Sequence, residues 1–465
     1  MSNEKYTDYS EGINDLDKVT EAKNELSDQL LQFDKDSQTE PVVHGVGVGS
    51  LPDNTYCVRI YVNNRKVNEA REILKKTPYL RLSNDLSEAD WKGTPVRVIE
   101  AAPPVFAAEY VTDTLSPRGE RYDGGVDWWK VVVRAWKIAF RTTINFLRNL
   151  LGFENHHSDR VVYEHVADTG YVCSDGPVNC VMPPKSPSGG LPCTAASEFE
   201  TLPAGSSVWN SYEAKGTIGY FCEDGLGNRY ILSCNHVLAK NADDTPPDST
   251  TIYRNGSGSN MNPIGTVTDW VPLTPSAGTA KEPLKVDAAL AVISSAVQYR
   301  IVENSRIDGV ASPDLGFPAV KKHGLATCTT SGIIDDISCN IVLTGNNGQA
   351  YYFVDQVRVV SDSQKLFAAS GDSGAVVFNN NREGVGLLIA VGNPNSVLED
   401  LDPGLDPAVN YALMSPLPAV IAELNTQVSK RLGKKLGGIT VTSSLRLLYP
   451  PGHPGIPAPL PATPE

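Results

Sequence analysis

Short apolar runs punctuated by turn residues fill the second half of the chain. Between about Leu202 and Ser429 the segments "GTIGYFC", "RYILSC", "AALAVI", "SGIIDDI", "GAVVF" and "VGLLIAV" alternate with Gly, Asn, Asp and Pro. Runs this short and evenly spaced predict an all-β barrel or sandwich rather than alternating βαβ units. Upstream, over 41–105, the texture is mixed. "VVHGVGVGSL", "YCVRIYVNN" and "TPVRVIEA" read as strands and "KVNEAREILKK" as a helix, which predicts a small α/β domain. The glycines of "HGVGVG" complete neither a G-x-G-x-x-G nor a G-K-[ST] pattern and no helix opens after them, so they read as a glycine-bearing strand.

The flanks are different. Residues 1–40 hold eleven acidic and four basic residues, a net −7 that is half of the chain's −14, with Leu26, Leu30 and Phe33 at helical spacing. This predicts a solvated acidic arm with a partial helix. Residues 106–204 read as a linker that carries one helix, 126–153. There Lys130, Arg134, Lys137, Arg141 and Arg148 form a basic stripe, opposite Trp129, Val132, Val133, Trp136, Phe140, Ile144, Leu147 and Leu151. Such a helix suits an anionic membrane interface; packing on the β domain or on another copy of the chain is the favoured expectation. After about residue 430 the remainder, 431–465, is a tail ending in the proline-rich "YPPGHPGIPAPLPATPE".

Charge and cysteine usage narrow the function. A net charge of −14 and a pI near 5.1 disfavour a nucleic-acid partner, which needs a basic face. The first residues show no basic n-region followed by an apolar h-region, and no run of 18 apolar residues occurs, so a soluble cytoplasmic protein is expected. In that compartment the eight cysteines are expected to be free thiols. Cys173, Cys180 and Cys193 lack paired C-x2-C spacing, and neither a metal nor an organic cofactor is expected.

Candidate chemistry centres on "FAASGDSGAVVF", which sets Ser373 between Gly371-Asp372 and Gly374. A serine hydroxyl is a poor nucleophile at neutral pH and needs a base, an orienting acid and donors for an oxyanion. Only His236 and His323 lie within the β region. His236, at the end of the apolar run "RYILSCNHV", can face a cleft, whereas His323 in the basic turn "VKKHG" is expected to be exposed. Asp287, just before the strand "AALAVI", is the favoured acid and Asp269 in "VTDW" the alternative. The chain order His, Asp, Ser is that of chymotrypsin-like barrels, and Ala375 breaks the G-x-S-x-G elbow of α/β-hydrolases. The glycines allow a sharp turn that presents the amides of Gly371 and Ser373 to one point, as an oxyanion hole requires.

These blocks carry a resemblance. "SCNHV", "VDAALAVI" and "GDSGAVVF", separated by 51 and 86 residues, look like the three catalytic blocks of trypsin-like serine peptidases. More narrowly, "KKHGLATCTTSGIIDDI" and "GDSGAVVFNNNREGVGLLIA" resemble the intracellular group that includes the plant narrow-leaf proteins and bacterial relatives. "VRIYV" and "KGTPVRVIE" are similar to that group's N-terminal domain. The resemblance covers roughly 40–105 and 205–430. It implies a mainly β, chymotrypsin-like double β-barrel over 205–430. It further implies His236 as general base, Asp287 as its orienter, Ser373 as nucleophile and Phe367 at the base of the primary substrate pocket. No activation sequence of the Ile-Val-Gly-Gly type is present, which leaves the partner of Asp372 open. The expected function is a serine endopeptidase acting on a protein or peptide; a further reading is a processing peptidase that acts only on one partner or on itself. The alternative is a peptidase-fold binding or scaffold protein without turnover, and a homo-oligomer is compatible with either.

Overall fold

The computed structural model describes residues 15–31, 41–110 except 52–54, 84–85 and 107–108, and 201–449 except 211–213, 240–250, 256–260, 277–282, 295–297, 301–305, 316–318, 346–348, 363–365, 393–410 and 436–443. The expected helix 126–153 lies outside them. Met1–Val111 and Ser188–Glu465 form one compact unit; the second, Thr112–Pro187, also lies outside.

Helix α1, Leu16–Leu30, is capped by Asp15, whose carboxylate accepts from the Lys18 amide at 3.2 Å, and Asp17 sits in its first turn where the helix dipole favours an anion. It is not a solvated arm. Val19, Ala22, Leu26 and Leu30 form a buried stripe, because the sheet beneath supplies the apolar face that the helix alone lacks. That sheet contains β1 (Val43–Ser50), β2 (Tyr56–Asn63), β3 (Leu80–Leu82), β4 (Glu88–Trp91) and β5 (Thr94–Ala101). Helix α2, Val67–Lys76, follows β2 and buries Ala70 and Leu74. Strands β2 and β5 run parallel, with Val58 opposite Val96. Two short strands follow, β6 (Val105–Phe106) and β7 (Glu109–Tyr110).

After β8 (Thr201–Pro203) the first barrel begins. Its strands are β9 (Ser207–Asn210), β10 (Ala214–Thr217), β11 (Tyr220–Glu223) and β12 (Arg229–Ser233). Helix α3 (Asn235–Leu238) precedes β13 (Thr251–Asn255), β14 (Met261–Trp270) and β15 (Ala289–Ile293). Pairing runs β11, β12, β15, β14, β13, β9, β10, and β10 continues through Gly219, whose amide bonds to Leu232 O at 2.9 Å, back into β11. A bent strand thereby brings the two ends of the ring together.

Strand β16 (Gln298–Arg300) pairs with β8, and β17 (Gly309–Val310) leads to the second barrel. This contains β18 (Val320–Gly324), β19 (Cys328–Thr344), β20 (Ala350–Ser361), β21 (Val376–Asn379), β22 (Glu383–Val391) and β23 (Tyr411–Pro416). The pairings β18–β21–β22–β23–β20–β19 return to β18, a six-stranded closed ring. The fold is therefore mainly β, a chymotrypsin-like double barrel. Helix α4, Leu417–Lys435, then buries Leu417, Val420, Leu424 and Val428 at helical spacing in the larger core, and β24 (Arg446–Leu447) pairs with β11. No described helix is long and apolar enough to cross a membrane.

The 17-residue strand β19 joins these parts. One end closes the second barrel while the other pairs antiparallel with β1, with Gly45 opposite Ile341, so the N-terminal sheet continues the barrel wall. At this seam polar groups are buried. Lys23 of α1, 1% exposed, donates to Ser338 and Asn340 of β19 and pairs with Asp355. Arg59 and Arg358 share Asp335, and the Tyr61 hydroxyl donates to Asp336 at 2.5 Å. Burial holds the Asp336 carboxyl at a raised pKa of about 6. Cys57, Cys222, Cys234 and Cys339 are free and buried. Cys328 is disulfide-bonded, so the expectation of free thiols fails there.

His44 of β1 is fully buried, and neither ring nitrogen has a hydrogen-bond partner among the described residues. Desolvation, aided by the Arg358 charge, holds its pKa down to about 3. That lies below the unfolded value of roughly 6.5, so the unfolded chain binds more protons between the two. The neutral imidazole's contribution is therefore complete above pH ~6.5 and is lost towards pH 3, at a limiting slope of roughly 1.4 kcal/mol per pH unit. We expect His44→Phe to reduce the fall in stability between pH 7 and pH 4, measured by urea unfolding at each pH. An unchanged pH profile would contradict this.

Candidate active site

Three residues from separate elements meet between the barrels. Strand β12 is buried from Tyr230 to Ser233 and, after an extended Cys234, turns into the single-turn helix α3, which fixes His236 with 4% of its surface exposed. Asp287, fully buried, stands just before β15. One of its oxygens accepts from the Asn235 and His236 amides at 2.7 and 3.2 Å; the other takes a short hydrogen bond from His236 Nδ1. A carboxylate only accepts, so Nδ1 carries the proton and Nε2 keeps its lone pair. That nitrogen lies 2.8 Å from Ser373 Oγ.

Asp269, the alternative acid, is elsewhere: it accepts from Arg431 Nε of α4 at 2.8 Å and from the Thr268 hydroxyl at 2.8 Å. His323 differs from expectation. Held on β18 between β19 and β21, it is 6% exposed, its Nδ1 lies 2.8 Å from Thr329 Oγ1, and its ring lies so close to Gly205 that a Cβ there would meet it at 2.2 Å. Burial beside the Lys322 charge holds its pKa down to about 4. The turn-like "KKHG" is a strand, and strand pairing rather than local charge decides exposure.

The loop around Ser373 is clamped by the first barrel. Thr217 donates its amide to Ser373 O at 2.8 Å and its hydroxyl to Gly371 O at 2.9 Å. Gly371 and Gly374 adopt φ of +104° and +90°, and a Cβ on Gly374 would lie 2.0 Å from Ser233 Oγ. Among the described residues the amides of Gly371 and Ser373 donate to nothing, while the Asp372 amide is taken by Ala369 O. Phe367 is 1% exposed and its ring joins Val320, Ile334 and Val377 in the second barrel's core, while Ala368 and Ala369 follow it toward the serine.

Sequence reasoning missed Lys322. This ammonium, fully buried, pairs with the equally buried Asp372 at 3.0 Å. Asp372 also accepts from the amides of Ala326, Thr327 and Ala369 and from Thr327 Oγ1. Burial pushes the Lys322 ammonium down from its ordinary value and Asp372 opposes that shift. In β18 Lys321 is exposed and Lys322 buried, a difference set by the partner strands β19 and β21 and not signalled by "VKKHG" itself. Phe106 was missed too: its ring stacks on the His236 imidazole, centroids 4.6 Å apart. The Cys234, His236 and Asp287 donor atoms lie close enough together for a metal ion. The Cys234 thiol instead donates to Leu388 O and is pushed well above its ordinary pKa by burial, which makes it a poor ligand.

No family model and no curated protein sequence matches the chain. Similar solved structures include a glutamic-acid-specific serine protease described as using a histidine triad in substrate binding, at 16% identity, covering 48% of this chain and 97% of that one, with a TM-score of 0.33. Thermobifida fusca protease A is similar at 14% identity, covering 48% of this chain and 95% of that one, with a TM-score of 0.31. Cellulomonas bogoriensis chymotrypsin also gives 14% identity and a TM-score of 0.31, covering 54% of this chain and all of that one. Scores this low carry no argument about fold or activity. The double-barrel fold rests on the strand pairings, and the chemistry on the chain's own residues.

Removing one partner of a buried ion pair leaves the other uncompensated, at about 3–5 kcal/mol. Lys322→Met is expected to lose that much in denaturant unfolding, and Lys322→Met with Asp372→Leu to regain part of it. A double variant no more stable than the single would show that the two charges are not coupled.

Proposed function

We propose that the protein is a serine endopeptidase. The observation that carries this reading is the 2.8 Å approach of His236 Nε2 to Ser373 Oγ, with Asp287 behind Nδ1. In this reading His236 takes the Ser373 proton as Oγ attacks a peptide carbonyl, and Asp287 holds the tautomer and stabilises the imidazolium. The unengaged amides of Gly371 and Ser373 receive the oxyanion, and His236 protonates the leaving amine. Water then hydrolyses the acyl-enzyme, with His236 again as base. Lys322 acts as a positioning residue: it supplies, from within the chain, the cation that keeps Asp372 buried and the turn at Ser373 closed.

The motifs from "SCNHV" to "VGLLIA" assign the protein, in this proposal, to the intracellular trypsin-like group that resembles the plant narrow-leaf proteins. Its substrate is a protein or peptide. Phe367, Ala368 and Ala369 precede the serine loop and offer no carboxylate to pair with a Lys or Arg side chain, so in this reading the residue before the cut bond is expected to be small or apolar.

Peptide hydrolysis should vanish in Ser373→Ala and His236→Ala with the unfolding midpoint of Ser373→Ala close to that of the wild type. Asp287→Asn should lower kcat by about 10^4 through the wrong tautomer. Hydrolysis retained by Ser373→Ala would overturn the assignment. In a peptide-library screen we expect cleavage mainly after small or apolar residues; dominant cleavage after Lys or Arg would contradict the pocket argument.

A further inference from the structure

Ser373 is fully buried and His236 nearly so, although a reacting serine must be reached by a carbonyl carbon. The strands beside them show what stands in the way. On β22, β21 covers one edge as far as Leu387. The loop after Ser373 extends that cover, with the Gly374 amide donating to Leu388 O and the Leu388 amide to Ala375 O. β23 covers the opposite edge, with Leu413 opposite Ala390 and Ala412 opposite Val391. From Ile389 onward the first edge is therefore where an extended chain can pair beside the nucleophile, and Ile389 O accepts from Ser373 Oγ at 3.3 Å.

That edge is taken by the chain itself. β6 lies antiparallel on it, with Phe106 opposite Ala390 and Val105 opposite Val391. The Phe106 ring, itself buried, covers the His236 imidazole and packs against Tyr351 and Phe353. On the other barrel β7 lies antiparallel to β10, with Glu109 opposite Lys215, two residues before the Thr217 whose amide donates to Ser373 O. β6 is also anchored from behind. It pairs with Thr344 of β19, Pro104 O accepts from the Thr344 amide at 3.1 Å, and the Tyr411 hydroxyl donates to Ala102 O at 2.7 Å. Ala102-Pro103-Pro104 joins it to β5, and the two fixed proline φ angles lower the entropy lost when it seats.

We propose that β6 is an internal competitive inhibitor: it holds the peptide-binding edge beside Ser373, and a substrate is cut only by displacing it. This rests on the serine peptidase reading above. Two chains cannot pair with the same edge of Ala390 and Val391, nor can a substrate side chain lie on His236 while Phe106 does. A strand on a short tether meets its groove at an effective concentration on the order of millimolar. Free peptide at micromolar levels therefore loses, and its apparent KM rises by the inverse of the fraction of molecules in which β6 is lifted. Once the edge is free, Ser373, His236 and Asp287 act as before, so the inhibition enters KM rather than kcat. β6 pairs with β22 over two residues, Val105 and Phe106. The segment that displaces it is an extended one that pairs over a longer run and sets an apolar side chain on His236.

Peptide hydrolysis and labelling by a fluorophosphonate probe, both in the full-length chain, test this. Phe106→Ala uncovers His236, and Tyr411→Phe removes the hydroxyl that anchors Ala102 while keeping the ring. Both should lower KM and label faster than wild type, Phe106→Ala by at least about tenfold. Damage to packing alone would instead lower kcat or the urea midpoint; should Phe106→Ala unfold, Tyr411→Phe decides. Val105→Cys with Val391→Cys does the reverse, because residues directly opposite on antiparallel strands stand close enough for a disulfide. The oxidised pair should lose hydrolysis and regain it with reductant, against wild type in the same reductant because Cys328 is also disulfide-bonded. Folded loosened variants that match wild type in KM and labelling, or an oxidised pair that hydrolyses peptide like wild type, overturn the inhibition and leave the peptidase reading standing. A pair that fails to oxidise overturns it too, since the register is then wrong. No labelling and no hydrolysis in any of these proteins overturns both.

Discussion

A carboxylate removed from water must be given donors, and the two barrels meet where that requirement is satisfied twice. Asp287 and Asp372 are both fully buried. The first is held by two amides and an imidazole from the β12–α3 corner. The second is held by three amides, a hydroxyl and the Lys322 ammonium around the serine loop. Leaving either unpaired would cost several kcal/mol, a large fraction of an ordinary protein's net stability. Geometry at His236 and Ser373 thus follows from electrostatic demands of the fold. The same contacts that satisfy the acids orient the groups proposed to react.

How far this was legible in the sequence depends on the range of the interaction. Short β runs predicted the barrels because alternation and turn chemistry are local, and the blocks around His236, Asp287 and Ser373 stood out because each ends or begins an apolar run. The buried pair of Lys322 and Asp372 was illegible. Nothing in "VKKHG" separates a solvent-facing lysine from a buried one until the partner strands β19 and β21 are known. His323 was misjudged for that reason. Helix α1 was legible as a helix from its spacing, but its burial depends on a sheet continued by β19, some three hundred residues later in the chain.

Strand β19 also explains why the N-terminal segment bears on the site at all. By pairing with β1 it makes the first sheet an extension of the second barrel, so the chain leaving β5 emerges beside β22 with little freedom. Phe106 then stands on His236 as a consequence of where the sheet ends. A short linker between independent domains would impose no such placement.

The central claim is that the turn at Ser373 offers two amides to the oxyanion that forms on a carbonyl oxygen when Ser373 Oγ, its proton taken by His236, attacks that carbonyl. A crystal structure of the protein after reaction with a small alkyl fluorophosphonate tests it most directly. The account predicts a single adduct, on Ser373 Oγ, with the phosphonyl oxygen about 2.7–3.1 Å from the amides of Gly371 and Ser373. An adduct on another residue, or a phosphonyl oxygen turned away from both amides, would contradict it.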